Sequence, residues 1–258
     1  MSRILDLKAL TIRFGGLFAV SDVDLVVDEG EIVRRIGPNG AGKTTLFNLI
    51  TSLLKPTAGS VAFLGQPTLR LEPHQITAMG LARTFQNIRL FGTMTVLENV
   101  VVGMHSRTKA GVWGGVLGLR SARVEETRSL ARARELLSFV GMAGLEDVPA
   151  SALPYGQQRR LEIARALATE PRLLCLDEPA AGMNETESRA LIDLVRRIRG
   201  LGITVLIIEH DMHVVMNLCD RVVVLNFGRK IAEGTPAEIQ NNDDVIIAYL
   251  GRDEDAAG

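Results

Sequence analysis

The stretch Gly37–Thr45, GPNGAGKTT, constrains the fold more than any other part of this chain. It matches G-x-x-x-x-G-K-[ST] and sits between a strand signal, Glu31 to Ile36, and a helical one, Gly42 to about Thr51. In a strand–loop–helix unit the glycines let successive backbone N–H groups turn inward around phosphate oxygens, and the helix N-terminus adds positive potential. Asn39, Gly40, Ala41 and Gly42 form that cradle. Lys43 is expected to reach the β- and γ-phosphates of a nucleotide, Thr44 to ligate Mg²⁺, and Thr45 to support the α-phosphate.

A second constellation, LLCLDEP at Leu173 to Pro179, places four apolar residues of a buried strand before two carboxylates. Side chains diverge at a strand end, so Asp177 can hold the Mg²⁺ shell while Glu178 polarises an attacking water. Around these motifs the chain alternates. Strand signals come at Leu5 to Ile12 and Val23 to Val27, and the short strand Ser60 to Leu64 looks like the edge of an antiparallel β layer. A strand–turn signal follows at Leu81 to Gln86, and the pattern from about Thr95 to Met142 is helical, with Leu130, Leu136, Leu137 and Val140 on one stripe. After Gly156, helix and strand alternate through Leu173 to Leu176, Glu185 to Arg199 and Ile203 to Ile208, which argues for parallel βαβ units. Val222 to Leu225 and Lys230 to Glu233, joined through Phe227-Gly228, read as a hairpin. The layout is an α/β core with a helical subdomain inserted near residues 88–155 and a C-terminal extension from about 235 to 258, the RDEDAAG tail being frayed.

Composition excludes several classes. A net charge of −1 gives no polycationic surface for nucleic acid. The two cysteines, Cys175 and Cys219, form no CxxC pair, and Cys175 lies in an apolar run, which fits a reduced compartment better than a disulfide or metal role. MSRILDLKAL carries Arg3, Asp6 and Lys8 and no apolar h-region, so it does not read as a secretory signal. The most membrane-like stretch, Ala110 to Leu119, is far short of the roughly 20 apolar residues a span requires. Trp113, in the glycine-rich Gly111 to Gly118, reads as part of a hinge or surface loop, with a partner or lipid contact as the alternative. The chain is expected to be soluble, with membrane attachment through a partner.

LPYGQQRRLEIARAL, Leu153 to Leu167, resembles the signature motif of ABC ATPases, usually LSGGQ. With the motifs above it makes nearly the whole chain similar to an ABC nucleotide-binding domain: an α/β fold with a P-loop NTPase core, an antiparallel β subdomain and an inserted α-helical subdomain. In that family two domains face head to tail, each ATP lying between one phosphate loop and the partner's signature. The resemblance implies that Tyr155, Gly156 and Gln157 contact the partner's nucleotide. It implies that Gln86, in RTFQNIRLF, touches Mg²⁺ and the attacking water, and that His210 contacts the γ-phosphate. Phe14, in IRFGG, matches the aromatic that stacks on adenine, with a buried strand residue as its plainer reading, and Ala180 to Asn184 lies where the family has its dimer-seam loop. Glu209 and Asp211 flank His210 and are candidates for setting its orientation, while His213 reads as solvated.

Two departures stand out. Pro154 replaces the signature serine, whose hydroxyl would bond the γ-phosphate; proline suits a first helical turn, so the shape survives without that contact. Arg34 and Arg35 lie in the strand before the phosphate loop, where the family has small or aliphatic residues. Alternation sends them to opposite faces of a central strand, so at least one guanidinium enters a core, at a cost of several kcal/mol unless paired. They are expected to lower stability or disturb the loop.

RFGGLFAVSDV, RTFQNIRLFGTMTVLENV and EGTPAEIQNNDDVIIAYLG look most like the ATP-binding subunits of branched-chain amino-acid importers of the Liv type. That resemblance implies ATP and Mg²⁺ as cofactors and hydrolysis assisted by Glu178. It also implies a second ATP-binding subunit, identical or related, and integral membrane permease subunits holding the chain at the inner face of the cell membrane. A substrate-binding protein would act indirectly. The rival readings are the ATPase of a lipid or lipopolysaccharide exporter and a non-transport ABC ATPase.

Overall fold

The computed structural model describes residues 2–38, 40–105, 120–209 and 218–250. By compactness the chain divides into two units, residues 1–76 with 175–258, and residues 77–174.

The first unit carries an antiparallel and a largely parallel sheet. β1 (Arg3–Phe14) and β2 (Leu17–Asp28) pair through the Gly15-Gly16 turn, and β4 (Ala58–Phe63) with β5 (Gln66–Pro67) completes the antiparallel layer in the order β2-β1-β4-β5. Alternation along β1 buries Leu5, Leu7, Leu10 and Ile12; the register shifts at Ala9, whose φ is +47° and whose amide donates to Asp24 Oδ1 at 2.8 Å.

In the second sheet β3 (Ile32–Ile36) runs parallel to β8 (Thr204–Ile208) on one side and to β9 (Arg221–Asn226) on the other. β7 (Leu173–Asp177) lies beyond β8, and β10 (Arg229–Gly234) closes the other edge as a hairpin with β9. β7 and β8 are buried at every residue, the continuous apolar pattern of strands covered on both faces. α1 (Lys43–Ile50) follows β3. Charge fixes the start of β3. Asp220 Oδ2 accepts from Ile32 N at 2.8 Å, Arg199 spans Gly30 O and Asp220 Oδ1, and Arg221 grips Glu31 with Nε and Nη2 at 2.8 and 2.9 Å.

In the second unit β6 (Leu81–Arg83) leads into a loop and then the long helices. α2 (Pro73–Met79), which crosses the boundary between the units, has no periodic signature and is not visible in the sequence pattern. α3 (Val96–Met104) starts at a capping box, Thr95 with Glu98, and buried Asn99 pins the preceding loop by bonding Phe91 N, Phe91 O and Thr95 O. α4 (Arg120–Phe139) buries Ala133, Leu136 and Leu137, with Val140 just beyond its end; Leu130 is half-buried. α5 (Tyr155–Leu167) follows Pro154. The glycine-rich 111–118 segment with Trp113 lies outside the described residues.

α6 (Glu185–Gly200) belongs to the first unit and starts at a second capping box, Asn184 with Glu187. After β10, a third capping box at Thr235 and Glu238 opens α7 (Pro236–Gln240), and α8 (Asp243–Leu250) follows. Their apolar residues Ile239 and Val245 pack on Ile36, Val222 and Val224 of the parallel sheet. The 251–258 tail lies outside the described residues.

Arg34 does enter the core: its side chain is 0% exposed. Cys219, Glu209 and Tyr249 act on it electrostatically, Cys219 also through a hydrogen bond. Burial pushes the guanidinium below its ordinary pKa, and those neighbours pull it back. Burial also drives the Cys219 thiol up to about 11, against the lowering effect of Arg34, so it remains protonated. Neither cysteine is in a disulfide; Cys175 is buried and Cys219 half-buried. The Arg35 side chain lies outside the described part.

Candidate functional site

Three strand ends of the first unit meet where the phosphate motif predicts. β3 and β8 are parallel neighbours, and the Glu178 amide at the end of β7 donates to Ile208 O at 2.9 Å. Ligands of open α/β sheets bind beyond such carboxyl ends.

From the end of β3 the loop turns at Gly37, Gly40 and Gly42. A Cβ on Gly37 would lie 2.2 Å from Leu225 O, and one on Gly42 2.0 Å from Ala19 O, so other backbones fill the space side chains would need. Gly40, φ +80°, has nothing within 4 Å of that position. Gly42, φ +84°, caps α1 in the left-handed region, and its carbonyl takes the first helical bond, from Leu46 N at 3.0 Å. Ala41 is buried, Thr44 is exposed and Thr45 half-buried in the first turn. Lys43 is buried, with Nζ donating to Gly37 O at 2.5 Å and Pro38 O at 3.3 Å, which lays the ammonium along the inside of the loop. Asn39 lies outside the described residues.

Asp177 ends β7 with 1% exposure. Glu178 takes φ +45°, a left-handed conformation costing a non-glycine residue about 1–3 kcal/mol, so its half-buried side chain leaves on a different line from Asp177. Neighbouring hydrogen bonds hold that turn. Ile208 O accepts from Glu178 N, Glu178 O from Ala181 N at 3.2 Å, and the Glu209 carboxylate from Ala180 N at 2.8 Å. Glu209 was a candidate only for orienting His210; its bond to Ala180 is a second task that the sequence did not signal. His210, Asp211 and His213 lie outside the described residues.

Phe14 ends β1 and is 51% exposed, which sets aside its buried-strand reading. With Leu17 and Phe18 it forms an apolar tip on the hairpin whose second strand, at Ala19, abuts the cap of α1. Arg13 lies over the Phe18 ring, 5.8 Å from its centroid.

The other candidates belong to the second unit. Gln86 is exposed in the loop after β6, and its backbone is held by a residue that sequence reading passed over. Arg159, 0% exposed, donates through Nη1 to Phe85 O at 2.6 Å and Glu162 Oε2 at 2.7 Å, and through Nη2 to Gln86 O at 2.9 Å and Tyr155 Oη at 3.1 Å. Glu162 Oε1 accepts from Phe85 N at 3.1 Å. Burial raises the Glu162 carboxyl above its ordinary pKa, against the pull of Arg159 and that amide. The i, i+3 spacing of Arg159 and Glu162 in RRLEI was the available signal. Pro154 caps α5 without a side-chain bond, its carbonyl accepting from Gln157 N and Gln158 N, both at 3.0 Å. Tyr155 is exposed and Gly156 and Gln157 are half-buried in the first turn.

Among the described residues no three His, Cys, Asp or Glu side chains converge as a metal cage, and no helix is long and apolar enough to cross a membrane. The oxygen donors of Thr44 and Asp177 suit a hard cation bound together with nucleotide phosphates.

The profile of the ABC transporter family matches residues 20–181, and that of the branched-chain amino acid ATP-binding cassette transporters matches residues 229–255. The high-affinity branched-chain amino acid transport ATP-binding protein LivG of Escherichia coli K12 is 47% identical over 249 residues, 96% of this chain and 98% of its own length. The ADP conformation of MJ1267, an ATP-binding cassette of an ABC transporter, superposes with a TM-score of 0.84 at 31% identity, covering 97% of this chain and 100% of that one. The dimeric post-hydrolysis state of the cassette MJ0796, bound to ADP and Pi, superposes at 0.77 with 27% identity, over 90% and 98% of the two chains. A phosphate loop between backbones that exclude any side chain, two carboxylates at the adjoining strand end and likeness over the full cassette make this chain an ATP-binding member of the ABC transporter family.

Proposed function

We propose that the chain is the ATP-hydrolysing subunit of an importer for branched-chain amino acids. The observation that carries this reading is the 47% identity to LivG over nearly the whole of both chains, joined to a cassette whose phosphate loop and Glu178 turn share one sheet edge.

The loop amides from Asn39 to Gly42 and the Lys43 ammonium bind the nucleotide phosphates, Thr45 supports the α-phosphate, and Phe14 stacks on the adenine. Thr44, Asp177 and Gln86 would hold Mg²⁺, which would supply charge neutralisation on the phosphates. Glu178 orients and polarises the attacking water, and His210 contacts the γ-phosphate. Tyr155, Gly156 and Gln157 serve the nucleotide of a second ATP-binding subunit, so two ATP molecules close the dimer and hydrolysis reopens it. The chain works as one nucleotide-binding domain, with the helical subdomain about 88–155 and the loop at Gln86 passing the change to membrane permease subunits. It sits on the cytoplasmic face of the membrane through them, with Mg²⁺-ATP as its fuel.

The test is ATP turnover of the purified chain with Mg²⁺ beside Glu178→Gln. Turnover by the wild type and an ATP-trapped dimer of the variant are expected; a variant as fast as the wild type removes Glu178 from the mechanism. Co-expression with permease subunits and a binding protein should give turnover stimulated by leucine, and stimulation by a lipid instead would overturn the substrate class.

A further inference from the structure

The turn that joins β9 to β10 sits at the edge where the phosphate loop leaves the sheet. β9 runs parallel to β3, so its carboxyl end at Asn226 lies on the same edge as Ile36, where open α/β sheets bind ligands. Asn226 pairs with Arg229, so Phe227 and Gly228 form a two-residue hairpin turn, both with positive φ, +44° and +77°. Backbone contacts set this turn beside the phosphate loop. Leu225 O lies 2.2 Å from a Cβ built on Gly37, and Ala19 O lies 2.8 Å from one on Gly228 and 2.0 Å from one on Gly42. Ser21 N donates to Gly228 O at 2.8 Å, which fixes the turn against β2 just past the exposed tip of Phe14, Leu17 and Phe18.

Folding does not account for the residue at this turn. Hairpin turns with two positive φ values favour Asn-Gly or Asp-Gly, and a bulky side chain in the left-handed region is strained. Phe227 is also 81% exposed, more than any other large apolar side chain among the described residues. Strain and exposure at one aromatic residue point to a ligand rather than to packing. Beside a phosphate cradle, the flat apolar partner that such a ring fits is the base of the nucleotide the cradle holds.

We infer, on the ATPase reading above, that Phe227 is a second aromatic contact for the nucleotide's base, added from the β9–β10 hairpin to that of Phe14 on the β1–β2 hairpin. Stacking meets a π face and reads no hydrogen-bond pattern, so the contact strengthens binding without selecting adenine over guanine. Phosphate binding stays with the loop amides and Lys43.

The experiment is calorimetric binding of ADP and of GDP to the full chain with Mg²⁺, beside inorganic tripolyphosphate read by its displacement of ADP. Phe227→Asn should raise Kd for both nucleotides about tenfold and leave tripolyphosphate within about twofold. Its melting temperature should hold or rise, because Asn-Gly suits the turn. Phe227→Tyr keeps the ring and should bind ADP within about twofold of wild type. Leu201, 58% exposed just before β8 at the other edge of the sheet, is the control, and Leu201→Ser should change no affinity. An unchanged ADP affinity in Phe227→Asn overturns the inference. Equal losses for ADP and tripolyphosphate also overturn it, placing the effect in the phosphate loop. So does a nucleotide-free dimer that Phe227→Asn dissociates with ADP affinity intact, which would give the ring to a second copy. A wild type that binds neither ADP nor tripolyphosphate sinks the ATPase reading and the inference together, whereas normal binding in Phe227→Asn sinks the inference alone.

Discussion

Glu209, one residue past β8, accepts a hydrogen bond from the Ala180 amide at 2.8 Å with its carboxylate almost wholly buried. The bond ties the end of one strand to the turn that leaves the end of another. Glu209→Leu removes the acceptor and leaves the buried Ala180 amide without it, so it is expected to cost about 1–3 kcal/mol. In a chain of this size that lowers the melting temperature by roughly 5 °C. Glu209→Gln keeps an acceptor and should fall between the two. Urea unfolding of the three proteins checks the order; equal midpoints for the Leu and Gln variants would assign the loss to charge alone.

The phosphate loop predicts a graded series. Gly40→Ala meets only the strain of φ +80°, about 1–2 kcal/mol, because nothing lies near its Cβ position. Gly37→Ala and Gly42→Ala drive a methyl against the backbones of Leu225 and Ala19, which cannot swing away as a side chain would. Both should lose at least about 2–4 kcal/mol and displace the loop, since overpacking adds to backbone strain. Thermal melts and nucleotide titrations on the three variants are the check. A Gly42→Ala protein as stable as Gly40→Ala would contradict the close approach of Ala19.

Arg159 joins the loop at Gln86 to α5 through four acceptors, two of them backbone carbonyls. Arg159→Met strands the buried Glu162 carboxylate and frees both carbonyls, a loss of about 3–5 kcal/mol. Glu162→Gln retains an acceptor for Phe85 N and is expected to cost less. Hydrogen exchange should rise at residues 85–87 in Arg159→Met before it rises in α3. Unchanged protection at 85–87 would mean that the loop is held by other contacts.

How much of this was legible follows the range of each interaction. The phosphate loop, β7 with Asp177 and Glu178, and the hairpin through Phe227-Gly228 are local patterns, and each appears where its period or spacing placed it. Arg34 in the core was also legible, because alternation in a central strand leaves no outward face. The α7 and α8 helices were seen only as an extension, since five and eight residues show little periodicity and the cap at Thr235 carries the signal. The Arg159 and Glu209 bonds join residues 74 and 29 positions apart, and no local rule pairs them. His210 and Asn39 rest on the motif alone, lying outside the described residues.

Acid sensitivity should concentrate at Arg221. Its guanidinium binds Glu31 through two bonds and Glu233 through a third, and Lys230 adds a bond to Glu233 at 2.8 Å. Burial works against both carboxylates. For Glu31 the Arg221 bonds, the Asp28 amide and nearby guanidinium charge outweigh it, and for Glu233 Lys230 and then Arg221 do, so both sit below the ordinary 4.5. Depressed folded values mean that the unfolded chain binds more protons on acidification. The stabilisation is therefore complete above the ordinary carboxylate range and disappears as pH falls through the lowered values. Urea midpoints should hold from about pH 7 to 6 and fall below about pH 4.5. Arg221→Met should start from a lower midpoint at pH 7 and show a shallower acid limb. An acid limb as steep in the variant as in the wild type would place the sensitivity in carboxylates other than Glu31 and Glu233.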